Sequence, residues 1–181
     1  MFSVVSKNFK VIPALIVMSL SVIWVVDSPA ENKADQASDV LPAVSLQDVT
    51  NLNHDGHEAR EKQIPILMFF SMKHCPYCVE VEEDYLKPIL RNREYDGKVI
   101  IRKVRIDGTN SMRDFTGKER DIEEFGDDYN VSMVPTLVLV DSNGKQLTPS
   151  IRGISNSHYY SAELDTAIDI STQKLRTIAK R

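Results

Sequence analysis

Ile64-Pro65-Ile66-Leu67-Met68-Phe69-Phe70-Ser71-Met72-Lys73-His74-Cys75-Pro76-Tyr77-Cys78 is the stretch that decides the fold. Its first seven residues are a continuous apolar run without alternation, the pattern of a strand buried on both faces of a sheet. Pro65 is tolerable at the start of such a strand. Val79 to Asn92 then reads as a helix, with Val81, Tyr85 and Leu86 apolar, the acidic residues Glu80 to Asp84 facing water, and a kink at Pro88. Two cysteines with two residues between them therefore stand where a buried strand hands over to a helix.

That place decides their chemistry. The thiolate is the reactive form of cysteine in disulfide exchange. At a helix amino end, unpaired backbone N–H groups and the helix dipole favour negative charge, so Cys75 is expected to hold its proton less tightly than a free cysteine. Pro76 suits the first helical turn, where its missing N–H costs nothing. Cys78, one turn on, is placed to resolve a mixed disulfide. Lys73 and His74 add positive charge beside Cys75. The expectation is that Cys75 attacks and Cys78 releases, with His74, Pro76 and Tyr77 shaping the site.

Outward from this centre, Val44 to Gln63 reads as an interrupted helix with Leu46, Val49 and Leu52 on one face and a break over Asn53 to His57. Val99 to Ile106 alternates as a strand, and Asp107 to Arg120 is polar and reads as a loop insertion. A short helix over Asp121 to Tyr129 precedes an apolar strand, Thr136 to Val140. The turn Asp141-Ser142-Asn143-Gly144 and a hairpin partner, Lys145 to Arg152, follow. Ser157 to Lys180 is a final amphipathic helix, with Tyr160, Leu164, Ile168 and Leu175 on one stripe. Strands alternating with helices, then a hairpin, predict an α/β fold: a mixed sheet covered by helices on both faces.

The amino terminus belongs to a different kind of segment. Lys7 and Lys10 precede an apolar run from Val11 to Val26, and Ser28-Pro29-Ala30 offers small residues for cleavage before Glu31. This layout predicts a secretory signal peptide over 1–30, with an uncleaved membrane anchor as the alternative. Residues 31–43 read as a polar linker and 44–181 as the domain. Trp24, the only tryptophan, lies in the export segment.

Composition narrows the function. The chain has 181 residues, enough for one domain with a proper core. Its net charge is −4, without the clustered basic surface that nucleic-acid binding requires. Two cysteines cannot form a dense disulfide scaffold or a four-cysteine zinc site. His54 and His57, near Asp55, read as a solvated turn rather than a metal site. Outside the cytosol disulfides persist, and the tiny ring of a CxxC disulfide constrains the unfolded chain weakly, so a redox centre explains the pair better than a structural crosslink.

The segment Phe69 to Cys78, with Val134-Pro135-Thr136 and Asp141-Ser142-Asn143-Gly144 downstream, resembles the thioredoxin superfamily over about residues 44 to 178, most closely exported bacterial thioredoxin-like proteins of the SoxW kind. The resemblance implies a thioredoxin fold in which Pro135 is cis and lies against the CxxC, keeping metals off the dithiol. It implies that the Val134 backbone pairs with a bound substrate chain. It also implies exchange with protein disulfides or thiols, a membrane redox partner, a periplasmic location, and no organic cofactor or metal. Cys-Pro-Tyr-Cys is the glutaredoxin pair, but no Gly-Gly-Asp glutathione segment accompanies it. Phe69 stands where cytosolic thioredoxins carry a buried aspartate, so the usual proton acceptor for the resolving cysteine is missing or supplied elsewhere. The alternative from another class is a non-catalytic binding or metal-handling module built on the same fold.

Overall fold

A computed structural model of the protein describes residues 43–108 and 110–179. The predicted export segment over 1–30 and all but the last residue of the predicted linker lie outside the described residues.

β1 (Ile66–Ser71) is the central strand, and every one of its residues is buried. It pairs in parallel with β2 (Ile100–Arg105), Phe69 opposite Lys103 and Ser71 opposite Arg105. On its other side it pairs antiparallel with β5 (Thr136–Val140), Phe70 opposite Thr136. β6 (Ile151–Arg152) extends the sheet from β5, giving the order β2-β1-β5-β6. The sheet is mixed, as the pattern of strands predicts.

Alternate side chains of β1 serve two cores. Leu67 and Phe69 point into one, with Leu137 and Leu139 of β5, Cys78, Val81, Leu86 and Ile89 from the helix after the CxxC, and Tyr160, Leu164 and Ile168 of α5 (Ser157–Ile178). Ile66, Met68 and Phe70 point into the other, with Val138 and Val140, Leu52 and Ala59 of α1 (Leu52–Lys62), and Ile122 and Phe125 of α4 (Ile122–Asp127). Helices therefore cover both faces, and a run with no polar residue is what a two-faced strand requires.

The helix after the motif starts as α2 (Pro76–Glu80), widens into a π-helical stretch, Val81–Leu86, and closes as α3 (Lys87–Arg91). Pro88 lacks the N–H that would bond to Asp84, and the wide turn just ahead of it absorbs the mismatch. The sequence places the acidic run Glu80 to Asp84 in solvent, but Glu82 is half-buried and its carboxylate meets Lys103 Nζ at 2.6 Å. β2 places Lys103 beside the helix, and that ammonium draws Glu82 inward.

Four further expectations are corrected. Residues before Leu52 are extended rather than helical: Val49 N–H donates to Lys103 O at 2.8 Å and Lys103 N–H to Gln47 O at 2.8 Å, flanking β2. The helix begins where Asn51 caps it, its side chain accepting from His54 N–H, so Asn53 to His57 is the first turn of α1 and not a break. The polar stretch from Asp107 carries a small hairpin, β3 (Ser111–Arg113) with β4 (Glu119–Asp121), turned by Gly117 at φ +83° and by Asp114, whose carboxylate accepts from Thr116 and Lys118 N–H. Only Ile151–Arg152 of the predicted hairpin partner pairs as a strand.

Candidate functional site

β1 ends at Ser71, and the chain turns through Met72, Lys73 and His74 before α2 begins. His74 has φ +56°, in the left-handed region, which reverses the chain and delivers Cys75 to the helix start. Cys75 is the N-cap of α2, and its Sγ accepts from the Cys78 backbone N–H at 3.1 Å. Pro76 occupies the first helical turn. Cys75, Pro76 and Cys78 therefore stand at the cap and in the first turn of α2.

Cys75 and Cys78 are joined in a disulfide with their Cα atoms 5.2 Å apart. Their environments differ. Cys78 is only 4% exposed and is part of the core around Phe69, whereas Cys75 is half-buried at the edge of that core. Cys75 is therefore the more accessible of the two. Phe69 is fully buried in the same cluster as Cys78, so that strand position supplies packing and no carboxylate.

The Val134–Pro135 peptide bond is cis. Strand register brings this segment to the same end of the sheet as the CxxC: Phe70 faces Thr136, and both flanking loops leave from there. Pro135 is buried and Val134 half-buried, the latter packing against the core that holds Cys78. Thr136 Oγ1 donates to Met133 O at 2.8 Å, and Gly153 N–H donates to Pro135 O at 2.8 Å, fixing the loop from both sides. The side chains of Met72, Tyr77 and Met133 are exposed around this end, Tyr77 by 63%. His74 is also exposed.

Two charged features escaped the sequence. The Glu82–Lys103 pair flanks the core of Cys78: Glu82 is four residues along the helix from Cys78, and Lys103 is the register partner of Phe69. Asp107, at the end of β2, accepts Lys73 N–H at 2.6 Å. The alternation of Val99 to Ile106 carries the signal for the first, since it puts Lys103 on the same face as Ile101. The second depends on a loop contact that no periodicity announces.

His54 and His57 are exposed, as the sequence suggests, but they lie on the first turns of α1 rather than in a turn. Asp55 is buried and holds Arg102 through two bonds, 2.9 and 2.7 Å, and Glu58 holds Lys62 at 2.6 Å. Beside the site, burial pushes the Tyr160 phenol up, helped by Glu163 and Tyr85, so it stays protonated through the neutral range. Across α5, Tyr95 donates to Asp165, and this hydrogen bond with burial pushes Tyr95 up to about 12. Among the described residues no helix is long and apolar enough to cross a membrane.

Comparison with known proteins agrees with this architecture. Residues 52–168 match the family described as thioredoxin-like domain. No protein with a curated description matches. Among solved structures, a thioredoxin-fold protein from Helicobacter pylori is 22% identical, covering 65% of this chain and 83% of its own, with a TM-score of 0.43. DsbH oxidoreductase is 19% identical, covering 70% and 88%, with a TM-score of 0.48. The germline-specific thioredoxin Deadhead from Drosophila melanogaster is 23% identical, covering 67% and 98%, also at 0.48.

Proposed function

Because this chain belongs to the thioredoxin-like domain family, we propose that it is an exported thiol-disulfide oxidoreductase that reduces disulfides in protein substrates, of the SoxW kind. The observation that carries the reading is the asymmetric Cys75–Cys78 pair at the start of α2, with one sulfur at the edge of the core and one inside it. In the reduced protein the Cys75 thiolate attacks one sulfur of a substrate disulfide. That S–S bond breaks, a mixed disulfide forms at Cys75, and the first substrate thiolate leaves and takes up a proton. Cys78 then loses its proton, and its thiolate attacks Cys75 Sγ and expels the second substrate thiolate. The substrate gains two electrons, and the protein ends with the Cys75–Cys78 disulfide.

The backbone at Val134 is the proposed rest for the substrate chain, and Pro135 is proposed to exclude metals from the dithiol. Met72, Tyr77 and Met133 offer apolar contacts around it. No cofactor enters the cycle, so electrons come from another dithiol, for which we propose a membrane partner at the periplasmic face. The signal-like sequence over 1–30 supports export.

The test is turnover of a protein disulfide substrate with a chemical reductant as recycler. The wild type should turn over, Cys75→Ser should be inactive, and Cys78→Ser should stall as a mixed disulfide. Turnover by Cys75→Ser would reject the assignment.

A further inference from the structure

The loop that delivers Cys75 is held by a residue from the far strand. Beyond β2 the parallel ladder continues for one bond, Ile106 N–H to Ser71 O at 3.0 Å. The next residue, Asp107, then places Oδ2 on the Lys73 N–H at 2.6 Å. Lys73 is two residues ahead of Cys75, and His74 between them holds the left-handed turn. Two residues span at most about 7 Å, so the carboxylate holds the chain within that reach of the Cys75 backbone.

Its other oxygen is the unusual feature. Asp107 Oδ1 is buried and has no hydrogen-bond partner among the described residues. Among the described residues Asp107 makes no ion pair. Lys73 and His74 are exposed, and on β2 Arg105 pairs with Asp48 and Lys103 with Glu82. A buried carboxylate oxygen left unpaired is destabilising, and its retention at a functional loop calls for a reason.

We propose that Asp107 is a positioning residue of the redox site. One oxygen fixes the Lys73–His74 loop and so the place of Cys75. The other keeps an uncompensated negative charge beside the dithiol, which disfavours the Cys75 thiolate. A less stable reduced form makes the pair a weaker oxidant and a better reductant, so Asp107 biases the site toward the reducing direction. This rests on the reading of the pair as an exchange centre.

Asp107→Asn keeps a carbonyl oxygen for the Lys73 N–H and removes the charge. In this variant Cys75 should be alkylated by iodoacetamide at pH 6 at least threefold faster than in the wild type, and the equilibrium with glutathione should move at least threefold toward the dithiol. Asp107→Ala should show the same acceleration and, in addition, at least a tenfold loss in kcat/KM as the loop loosens. If Asp107→Asn leaves both alkylation and equilibrium unchanged, Asp107 is a structural clasp and the proposal fails. Asp107→Glu restores the charge and should be alkylated within twofold of the wild-type rate; a Glu variant as fast as Asp107→Asn overturns the proposal. Alkylation reads Cys75 alone, so a failure of substrate turnover would reject the proposed function and still leave the Asp107 effect measurable.

Discussion

Separating the two thiols chemically puts a number on the site's asymmetry. Cys78→Ser leaves Cys75 at the helix N-cap, facing the backbone N–H of residue 78 that lies 3.1 Å from its sulfur in the disulfide form. The dipole of a helix start favours an anion by about 0.3–1 kcal/mol. A hydrogen bond to a charged acceptor adds about 1.5–3 kcal/mol. Taking about 2 kcal/mol for the two together raises the thiolate population about 30-fold at a pH well below titration, at about 1.4 kcal/mol per decade. Thiolates that are easier to form are weaker nucleophiles, and with a Brønsted slope of about 0.5 roughly half of that gain survives on a logarithmic scale. Cys75 should then react with iodoacetamide at pH 6 about fivefold faster than an unstructured cysteine peptide. Cys75→Ser leaves only Cys78, 4% exposed inside the core, which should react more slowly than the same peptide. Mass spectrometry of timed samples reads both rates. Equal rates in the two variants, or a faster Cys78, would refute the assignment of nucleophile and resolving thiol.

Other predictions follow from packing and charge. Gly56→Ala, which on an ordinary helix position gains about 1 kcal/mol, should destabilise the protein here, because the new Cβ would sit 2.5 Å from Ser142 O; a raised urea midpoint would contradict this. Glu82→Gln leaves Lys103, 16% exposed at its side chain, without its carboxylate and should lower stability by about 1–3 kcal/mol, while Glu82→Gln with Lys103→Met should recover most of the loss in urea unfolding. Tyr95 is pushed up to about 12 in the folded protein by its bond to Asp165. The folded state therefore keeps a proton that the unfolded chain has lost, and the stability this gives is complete below the ordinary tyrosine range and disappears as pH rises from about 10 to about 12. Tyr95→Phe should flatten that decline in melting temperature measured over the same interval.

Much of this was legible in the sequence because it rests on short-range rules. A seven-residue apolar run has the length of a two-faced strand, and the helical pattern after the CxxC puts the motif at a helix start. Asp141 to Gly144 announced its turn, with Gly144 at φ +84° and Asp141 accepting from Asn143 and Lys145 N–H. The misreadings share a cause: the deciding partner is distant in sequence. Residues before Leu52 have helical spacing, but their backbone groups are taken by Lys103. Glu82 looks like one acid among several until β2 places an ammonium against it. Asp55 appears solvent-facing in a polar stretch, yet Arg102 pulls it into the interior. In the site itself, the cysteines and Pro135 were visible as a motif. Asp107 was not, because its role comes from the end of one strand meeting the loop after another.

The most direct test is the redox equilibrium of the Cys75–Cys78 pair in glutathione buffers of graded poise. Alkylation and mass spectrometry should read it, because the single tryptophan, Trp24, lies far from the motif in sequence. The account predicts one two-electron transition between dithiol and disulfide, with a potential nearer the about −270 mV of a reducing thioredoxin than the about −120 mV of a strong oxidant. A transition near the oxidising value would contradict the reductase direction, and failure to form the Cys75–Cys78 disulfide at any poise would contradict the exchange centre itself.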